Sequence, residues 1–300
     1  MLTGESMAKA RPDGPAVLIT GASSGIGAAC VCDLAARGFR VYAGVRRTAD
    51  GERLAAQAEG EVRPVMLDVT DPAMVAAAAD RLSGEIAERG LAGLVNNAGI
   101  LVSAPLEFVS AGQFRRQFEV NVFGTLAVTQ AVLPLLRRAK GRIVTIGSIA
   151  GRAAPPYFGP YAATKFALEA ITDSLRMELR NWQIGVSIVE PDAVATPIWG
   201  KLESAPELQT AGLSAEARKL YGEDVDAMAA AAQRMDQRGM PVERVAAAVR
   251  HALTARYPKT RYPLGFRTRL AAWAISRVPD RIRDWYMLRE LGMTTRKPEA

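Results

Sequence analysis

Tyr161 and Lys165 stand four residues apart in the run Tyr161-Ala162-Ala163-Thr164-Lys165, which puts both on one helix face, a turn from each other. A phenol with a pKa of about 10 trades protons poorly at neutral pH. An ammonium beside it favours the phenolate and draws that pKa toward the range of a working acid or base. Ser148 ends the strand-like run from Gly141 to Gly147, so its hydroxyl falls at a strand's C-terminal end. In an open α/β sheet that edge is where ligands bind. A Tyr-x-x-x-Lys string alone is a common accident. Tyr157 is a nearby decoy, with Tyr161 instead of a lysine four places on. The group gains meaning from the elements that must position it.

Ala16 to Thr20 reads as a short buried parallel strand. It runs into Gly21-Ala22-Ser23-Ser24-Gly25-Ile26-Gly27 and then helix-like residues to Arg37. Glycines at these points permit a tight turn and let a pyrophosphate approach backbone N–H groups at a helix start. The spacing differs from the common G-x-G-x-x-G, but the strand before and the helix after are both present. A second strand, Phe39 to Val45, ends in Arg46 and Arg47 with no carboxylate at its tip. An acid there would hold a ribose 2′-hydroxyl, whereas guanidinium groups suit a 2′-phosphate. NADP is therefore favoured over NAD.

Val62 to Leu67 is a third strand, followed by Asp68 and Val69. Asp68 either bonds an adenine amino group or caps the next helix, a role for which Thr70 and Asp71 compete. Leu91 to Val95 is a fourth strand, with Asn96-Asn97-Ala98-Gly99 after it to brace the sheet edge. Asn121 lies among Val120, Val122 and Phe123 in a helix around 114–138. An amide there is a buried hydrogen-bonding group, a holder of ordered water, or both.

Thr20–Gly27, Asn96–Gly99, Asn121, Ser148, Tyr161 and Lys165 together resemble the short-chain dehydrogenase/reductase family over residues 15–265. The resemblance implies an α/β fold, Rossmann-like and doubly wound, with a seven-stranded parallel sheet and helices on both faces. It implies an NAD(P)-dependent enzyme with Tyr161 as acid/base and Lys165 binding the nicotinamide ribose. Ser148 would orient the substrate carbonyl, and Asn121 would anchor a relay water. The dinucleotide would touch Gly21, Ser23, Ser24, Gly25, Ile26, Gly27, Arg46, Arg47, Asp68, Val69, Asn97, Ala98, Gly99, Pro191 and Thr196. After the sixth strand, Val186–Glu190, the family continues Pro-Gly, but this chain has Pro191-Asp192. Asp192 either takes a left-handed backbone or places a carboxylate near the site. With Trp199, it is a candidate substrate contact.

The stretch at about 192–240 reads as a helical substrate lid, with Trp199, Tyr221 and Met228 divided between packing and pocket lining. Its pattern, with Tyr42-Ala43-Gly44-Val45 and Pro258–Tyr262, is similar to the retinol/hydroxysteroid dehydrogenase branch. That implies a lipophilic alcohol or ketone, steroid-, retinoid- or long-chain-like. Pro241 to Ala255 is a further helix, and residues 259–264 are the last strand.

Residues 1–14 read as a loose tail. The net charge of +7 is concentrated late: residues 256–297 hold eleven Lys/Arg and three Asp/Glu, leaving about −1 elsewhere. Nucleic acid is therefore not an expected partner. The basic, aromatic extension 266–300, divided by Pro279, suits an anionic membrane surface, the substrate pocket or a subunit contact equally. The rival readings of the chain are accordingly a dinucleotide sensor or scaffold without catalysis, and a membrane-surface interaction protein. No apolar run is long enough to span a membrane and no signal-peptide core precedes the first strand, so a cytoplasmic setting is expected. Cys30 and Cys32 have neither metal nor disulfide spacing, and His251 is the single histidine, read as structural. No metal is expected. The family implies a homodimer or homotetramer packed through the helices of Asn121 and Tyr161.

Overall fold

The computed structural model describes residues 14–195, 214–237, 239–265 and 278–293. Its frame is one parallel sheet of seven strands in the order β3-β2-β1-β4-β5-β6-β7. The first four are β1 (Ala16–Ile19), β2 (Arg40–Val45), β3 (Val62–Met66) and β4 (Gly93–Asn96). They are followed by β5 (Arg142–Ile146), β6 (Gly185–Pro191) and β7 (Arg261–Leu264). Leu18 on β1 lies opposite Tyr42 on β2 and Leu94 on β4. The chain thus builds outward from β1 to β3, then returns to the other side of β1. That reversal opens a crevice between the C-terminal ends of β1 and β4, where such sheets take their ligands.

Side chains alternate across each strand, and the two faces bury different helices. Val17 and Ile19 share a core with Val31 and Leu34 of α1 (Gly25–Ala35) and Val245 and Val249 of α8 (Val242–Thr254). Leu18 faces the opposite way. It packs with Leu82 of α3 (Pro72–Ile86) and Val128, Val132 and Leu136 of α5 (Gly124–Ala139). The short helix α2 (Thr48–Gln57) joins β2 to β3.

α4 (Ala111–Phe118) runs into α5 through a π turn, Glu119–Phe123, making one helical run from 111 to 139. By length and composition this run could cross a membrane, which the sequence pattern had not suggested; half of its apolar window is buried in the protein. It is a core helix of the sheet's second face. Asp71, not Asp68 or Thr70, caps α3 by accepting from the Ala73 and Met74 N–H groups.

The catalytic-type residues of the sequence sit on α6 (Gly159–Glu178). Beyond β6 come α7 (Ala215–Gln237), α8, β7 and α9 (Asp280–Leu291), the last starting after Pro279 as its sequence suggests. Thr196, Trp199 and the segment 266–277 lie outside the described residues, as does nearly all of the tail; Gly14 already packs on the Gly38 carbonyl.

Candidate active site

The glycine turn leaves β1 with Gly21 at φ +62° and Gly25 at φ +56°, a left-handed backbone that most residues resist. A Cβ on Gly27 would stand 2.3 Å from the Gly21 carbonyl oxygen and 2.6 Å from Asn97 Nδ2. Gly27 therefore lets α1 begin tight against the sheet edge. At that N-terminus Ser24 gives no side-chain cap, and no acid stands in the first turn. The leading N–H groups and the positive end of the helix dipole are thus left to an anion. A pyrophosphate fits this cradle.

The strand end opposite is braced by hydrogen bonds. Asn97 Nδ2 donates to the Thr20 and Gly21 carbonyls at 2.9 and 3.0 Å. The Thr20 hydroxyl accepts from the N–H groups of Asn97 and Ala98, both at 3.0 Å. Asn96 donates to Thr129 at 2.9 Å. The amides after β4 act as predicted. The hydroxyl that ties two strands together is one that no spacing pattern announces.

A groove of about 1030 Å³ runs from this turn across the sheet edge. Gly21, Ser23, Ser24, Gly25 and Ile26 line it at one end, with Arg46, Asp68, Val69, Ala98 and Gly99 beside them. The two arginines after β2 part company here. Arg46 lines the groove. Arg47 turns outward, precedes the first turn of α2, and pairs with Asp50 at 2.9 Å. Successive residues leaving a strand point to opposite sides, so only one of the predicted pair faces the groove. Asp68 accepts from the Thr70 N–H and hydroxyl. Partial burial opposes its ionisation, but those bonds and the charges of Arg46 and Arg116 win and hold the carboxyl below its usual range. Arg116, on α4, also lines the groove, and Arg53 donates to the Ser23 carbonyl of the glycine turn at 2.9 Å. Sequence reasoning missed both because each reaches the site from a helix far along the chain from the turn.

Midway along the groove Ser148, Tyr161 and Lys165 come together. Ser148 Oγ accepts from the Ala150 N–H at 3.1 Å, which fixes the short 3₁₀ turn Ile149–Gly151, and Ser148 lines the groove together with Tyr161. Lys165 is buried; its Nζ donates to the Ile146 carbonyl at 2.8 Å and lies 5.4 Å from the Tyr161 ring centre. The electrostatics differ from those expected of an ammonium acting alone. Burial pushes the Tyr161 phenol up to about 12, with the nearby Ser148 hydroxyl opposing. Burial also pulls Lys165 down to about 8, with Glu169 opposing. Desolvation disfavours both charged forms, so at neutral pH the phenol keeps its proton and the lysine keeps its charge.

Asn121 is almost wholly buried in the π turn. Its Oδ1 accepts from the Ile100 N–H at 2.9 Å, and its Nδ2 donates to the Ile100 carbonyl and Thr164 Oγ1, both at 3.1 Å. Gln117, buried one turn earlier, grips the same loop through the Val102 N–H at 2.7 Å and the Ile100 carbonyl at 2.8 Å. The Asn121 amide thus positions the groove wall and touches α6 one residue before Lys165.

Pro191 and Asp192 both line the groove. Asp192 is not among the left-handed residues, so the missing glycine is met by an ordinary backbone, with a polar residue at the wall. Tyr157, at φ +67°, is left-handed, as are Lys140 and Gln183 at helix ends. The decoy tyrosine is an anchor: its hydroxyl bonds Asp224 of α7 at 3.0 Å, and its ring meets Tyr221 edge-on. Tyr221 bonds Glu107 at 2.7 Å. It therefore packs, whereas Met228 lines the groove. α9 closes the far end with Arg283, Tyr286, Met287, Glu290 and Leu291. His251 is structural, its Nδ1 2.9 Å from the Tyr262 hydroxyl.

A model of the family described as short chain dehydrogenase matches residues 15–207. The chain belongs to the short-chain dehydrogenase/reductase family. Retinol dehydrogenase 5 of Mus musculus is 36% identical over 286 residues, covering 91% of this chain and 89% of that protein. The NADPH-dependent 3-dehydrocapnine reductase of Ornithobacterium rhinotracheale is 33% identical over 287 residues, covering 93% and 98%. Relatives named as retinol and hydroxysteroid dehydrogenases place it in that branch of the short-chain dehydrogenases. Among solved structures, a short-chain dehydrogenase/reductase from Burkholderia phymatum in complex with NAD superposes with a TM-score of 0.71 at 27% identity, covering 96% and 98%. This short-chain dehydrogenase is an NAD(P)-dependent oxidoreductase acting on a small molecule.

Proposed function

We propose that the protein transfers a hydride between NADP(H) and the carbonyl or alcohol of a lipophilic substrate, with Tyr161 as the acid/base. The observation that carries this reading is the convergence of Ser148, Tyr161 and Lys165, with the Lys165 ammonium 5.4 Å from the Tyr161 ring centre, in the same groove as the glycine turn. The nicotinamide, when bound, supplies or accepts the hydride. Ser148 hydrogen-bonds the substrate oxygen. Tyr161, protonated at neutral pH, donates its proton as charge develops on that oxygen, and Lys165 stabilises the phenolate left behind. Asn121 keeps the wall beside Lys165 in place for a relay water.

Arg46 supports NADP over NAD: it lies in the groove with no carboxylate at its strand's tip, and Arg116 adds a second cation nearby. The NADPH-dependent relative accords with this preference. Leu101, Phe158, Met228, Tyr286, Met287 and Leu291 support an apolar substrate, steroid-, retinoid- or long-chain-like. α9 covers this end of the groove in preference to lying on a membrane, for its Arg281, Arg283 and Arg289 are balanced by Asp280, Asp284 and Glu290. Exposed Phe123, Phe166 and Met177 on or beside α5 and α6 support a homodimer or homotetramer through those helices. Free Cys30 and Cys32 suit the reducing cytoplasm.

The test is NADPH consumption with steroid, retinoid and aliphatic ketones, for wild type and Tyr161→Phe. Turnover should fall by about 10²–10⁴-fold in the variant, while dinucleotide affinity stays within about twofold. Undiminished turnover in Tyr161→Phe would overturn the assignment.

A further inference from the structure

Behind the groove, α6 continues the Tyr161–Lys165 spacing with Glu169 and then Asp173, one turn apart each time. Glu169 is largely withdrawn from water, and the two oxygens of its carboxylate differ. Oε2 accepts from Arg261 Nε at 3.1 Å, while Oε1 is buried with no hydrogen-bond partner among the described residues. A buried carboxylate oxygen left unbonded is costly and calls for a reason. The 3₁₀ turn after Ser148 closes over this spot: a Cβ on Gly151 would stand 2.9 Å from the Lys165 carbonyl and 3.3 Å from Glu169 Cγ.

The charged groups facing Glu169 come from four elements. Lys165 and Asp173 share α6. Glu190 ends β6, is wholly buried, and takes Arg152 in two bonds at 2.9 and 2.7 Å. Arg152 follows the 3₁₀ turn. Arg261, on β7, bridges Glu169, Asp173 at 2.6 Å and Glu190 at 3.5 Å. Arg176 of α6 pairs with the other oxygen of Asp173. Around Glu169, then, three guanidiniums meet three carboxylates, and of these carboxylates Glu169 keeps a buried oxygen unbonded among the described residues, one turn from Lys165.

We propose that Glu169 is a positioning residue for the reaction, its carboxylate holding Lys165 in the charged form from one turn further along α6. The proposal rests on the role of Lys165 given above. Burial and the neighbouring Glu190 push the Glu169 carboxyl up to about 7, against the pull of Arg261 and Arg152. Glu169 therefore becomes charged as pH rises through neutrality, just below the range in which Lys165, drawn down to about 8, would lose its proton. Support for the cation arrives where the cation begins to need it.

Lysine labelled with ¹³C at Cε, in the full-length protein without dinucleotide, reports this directly by NMR. The Lys165 resonance is assigned by its loss in Lys165→Arg. In Glu169→Gln the Lys165 titration midpoint should fall by about one pH unit, and Glu169→Asp should restore most of the shift. With substrate, Glu169→Gln should lose about fivefold in turnover at pH 8 and scarcely any at pH 6, as a one-unit fall requires. An unmoved Lys165 midpoint overturns the proposal even if activity drops, since packing alone would do that. If Glu169→Gln does not fold, wild type carries the test. Its Lys165 resonance must register a separate step as Glu169 ionises, and a single-step curve overturns the proposal. Absence of turnover on any carbonyl would fail the proposed function while leaving the NMR outcome intact.

Discussion

At the dinucleotide end of the groove, position is set by backbone: Thr20, Gly21, Gly27 and Asn97 lock two strand ends and a helix start with hydrogen bonds and contacts too close for a Cβ. At the opposite end, the walls are side chains from Met228 on α7 and Tyr286, Met287 and Leu291 on α9, of which Met228, Met287 and Leu291 are gathered by apolar packing. One end tolerates almost no change of shape; the other can be refitted without moving the sheet. Chemistry common to many enzymes belongs on the first kind of structure, and choice of substrate on the second.

The sharpest way to break this contrast is to crowd the rigid end. Gly27→Ala places a methyl group against the Gly21 carbonyl and should weaken dinucleotide binding by more than about a hundredfold, or about 3 kcal/mol, by calorimetry. Retention of affinity would show that the turn is not tightly set. Next comes the pair of arginines. Arg46→Ala should lower the NADPH-over-NADH preference in kcat/KM by about ten- to a hundredfold, the worth of a charge-assisted bond. Arg47→Ala should change it less than about twofold, because that side chain is committed to Asp50. Equal effects would erase the distinction between the two. At the adaptable end, Tyr286→Ala should raise KM for a lipophilic ketone by about tenfold and leave dinucleotide affinity alone.

The smallest effect touches neither end. Glu85 is slightly buried, which opposes ionisation, but bonds from Arg81, Arg63 and Tyr42 prevail and hold its carboxyl at about 2 in place of 4.5. A depressed carboxyl stabilises the fold above its unfolded pKa and loses that contribution as pH falls toward the folded value. Melting of wild type and Glu85→Gln should therefore differ at neutral pH and converge as pH drops from 4.5 toward about 2. A difference that persists at the lowest pH would show that Glu85 acts by packing.

Much of the dinucleotide end was legible in the sequence because it is encoded locally. A strand, three glycines and a helix follow one another within a dozen residues, and their conformational demands are peculiar to glycine. Tyr161 and Lys165 were legible for the same reason, one helical turn apart. What the sequence could not separate was Arg46 from Arg47, since adjacent residues of one type differ only in the side of the strand from which they leave. Gln117 and the Thr20 hydroxyl were hidden because their partners lie across the fold and neither residue type demands a partner of a given spacing. The direction of the Tyr161 shift was hidden too. Spacing reveals the neighbouring cation but not how much protein surrounds the pair.

The π turn at Glu119–Phe123 carries a consequence for how this helix can vary. One extra residue in a turn offsets everything before it by ~100° relative to an unbroken helix. Deleting a single residue anywhere from 119 to 123 would let the ladder heal into a regular spiral, locally more comfortable. It would also swing Gln117 off the Ile100–Val102 loop, so the groove wall would lose its grip while the helix itself gained order. Insertions and deletions here are thus a matter of register: a shorter, better-formed rod would make a worse enzyme.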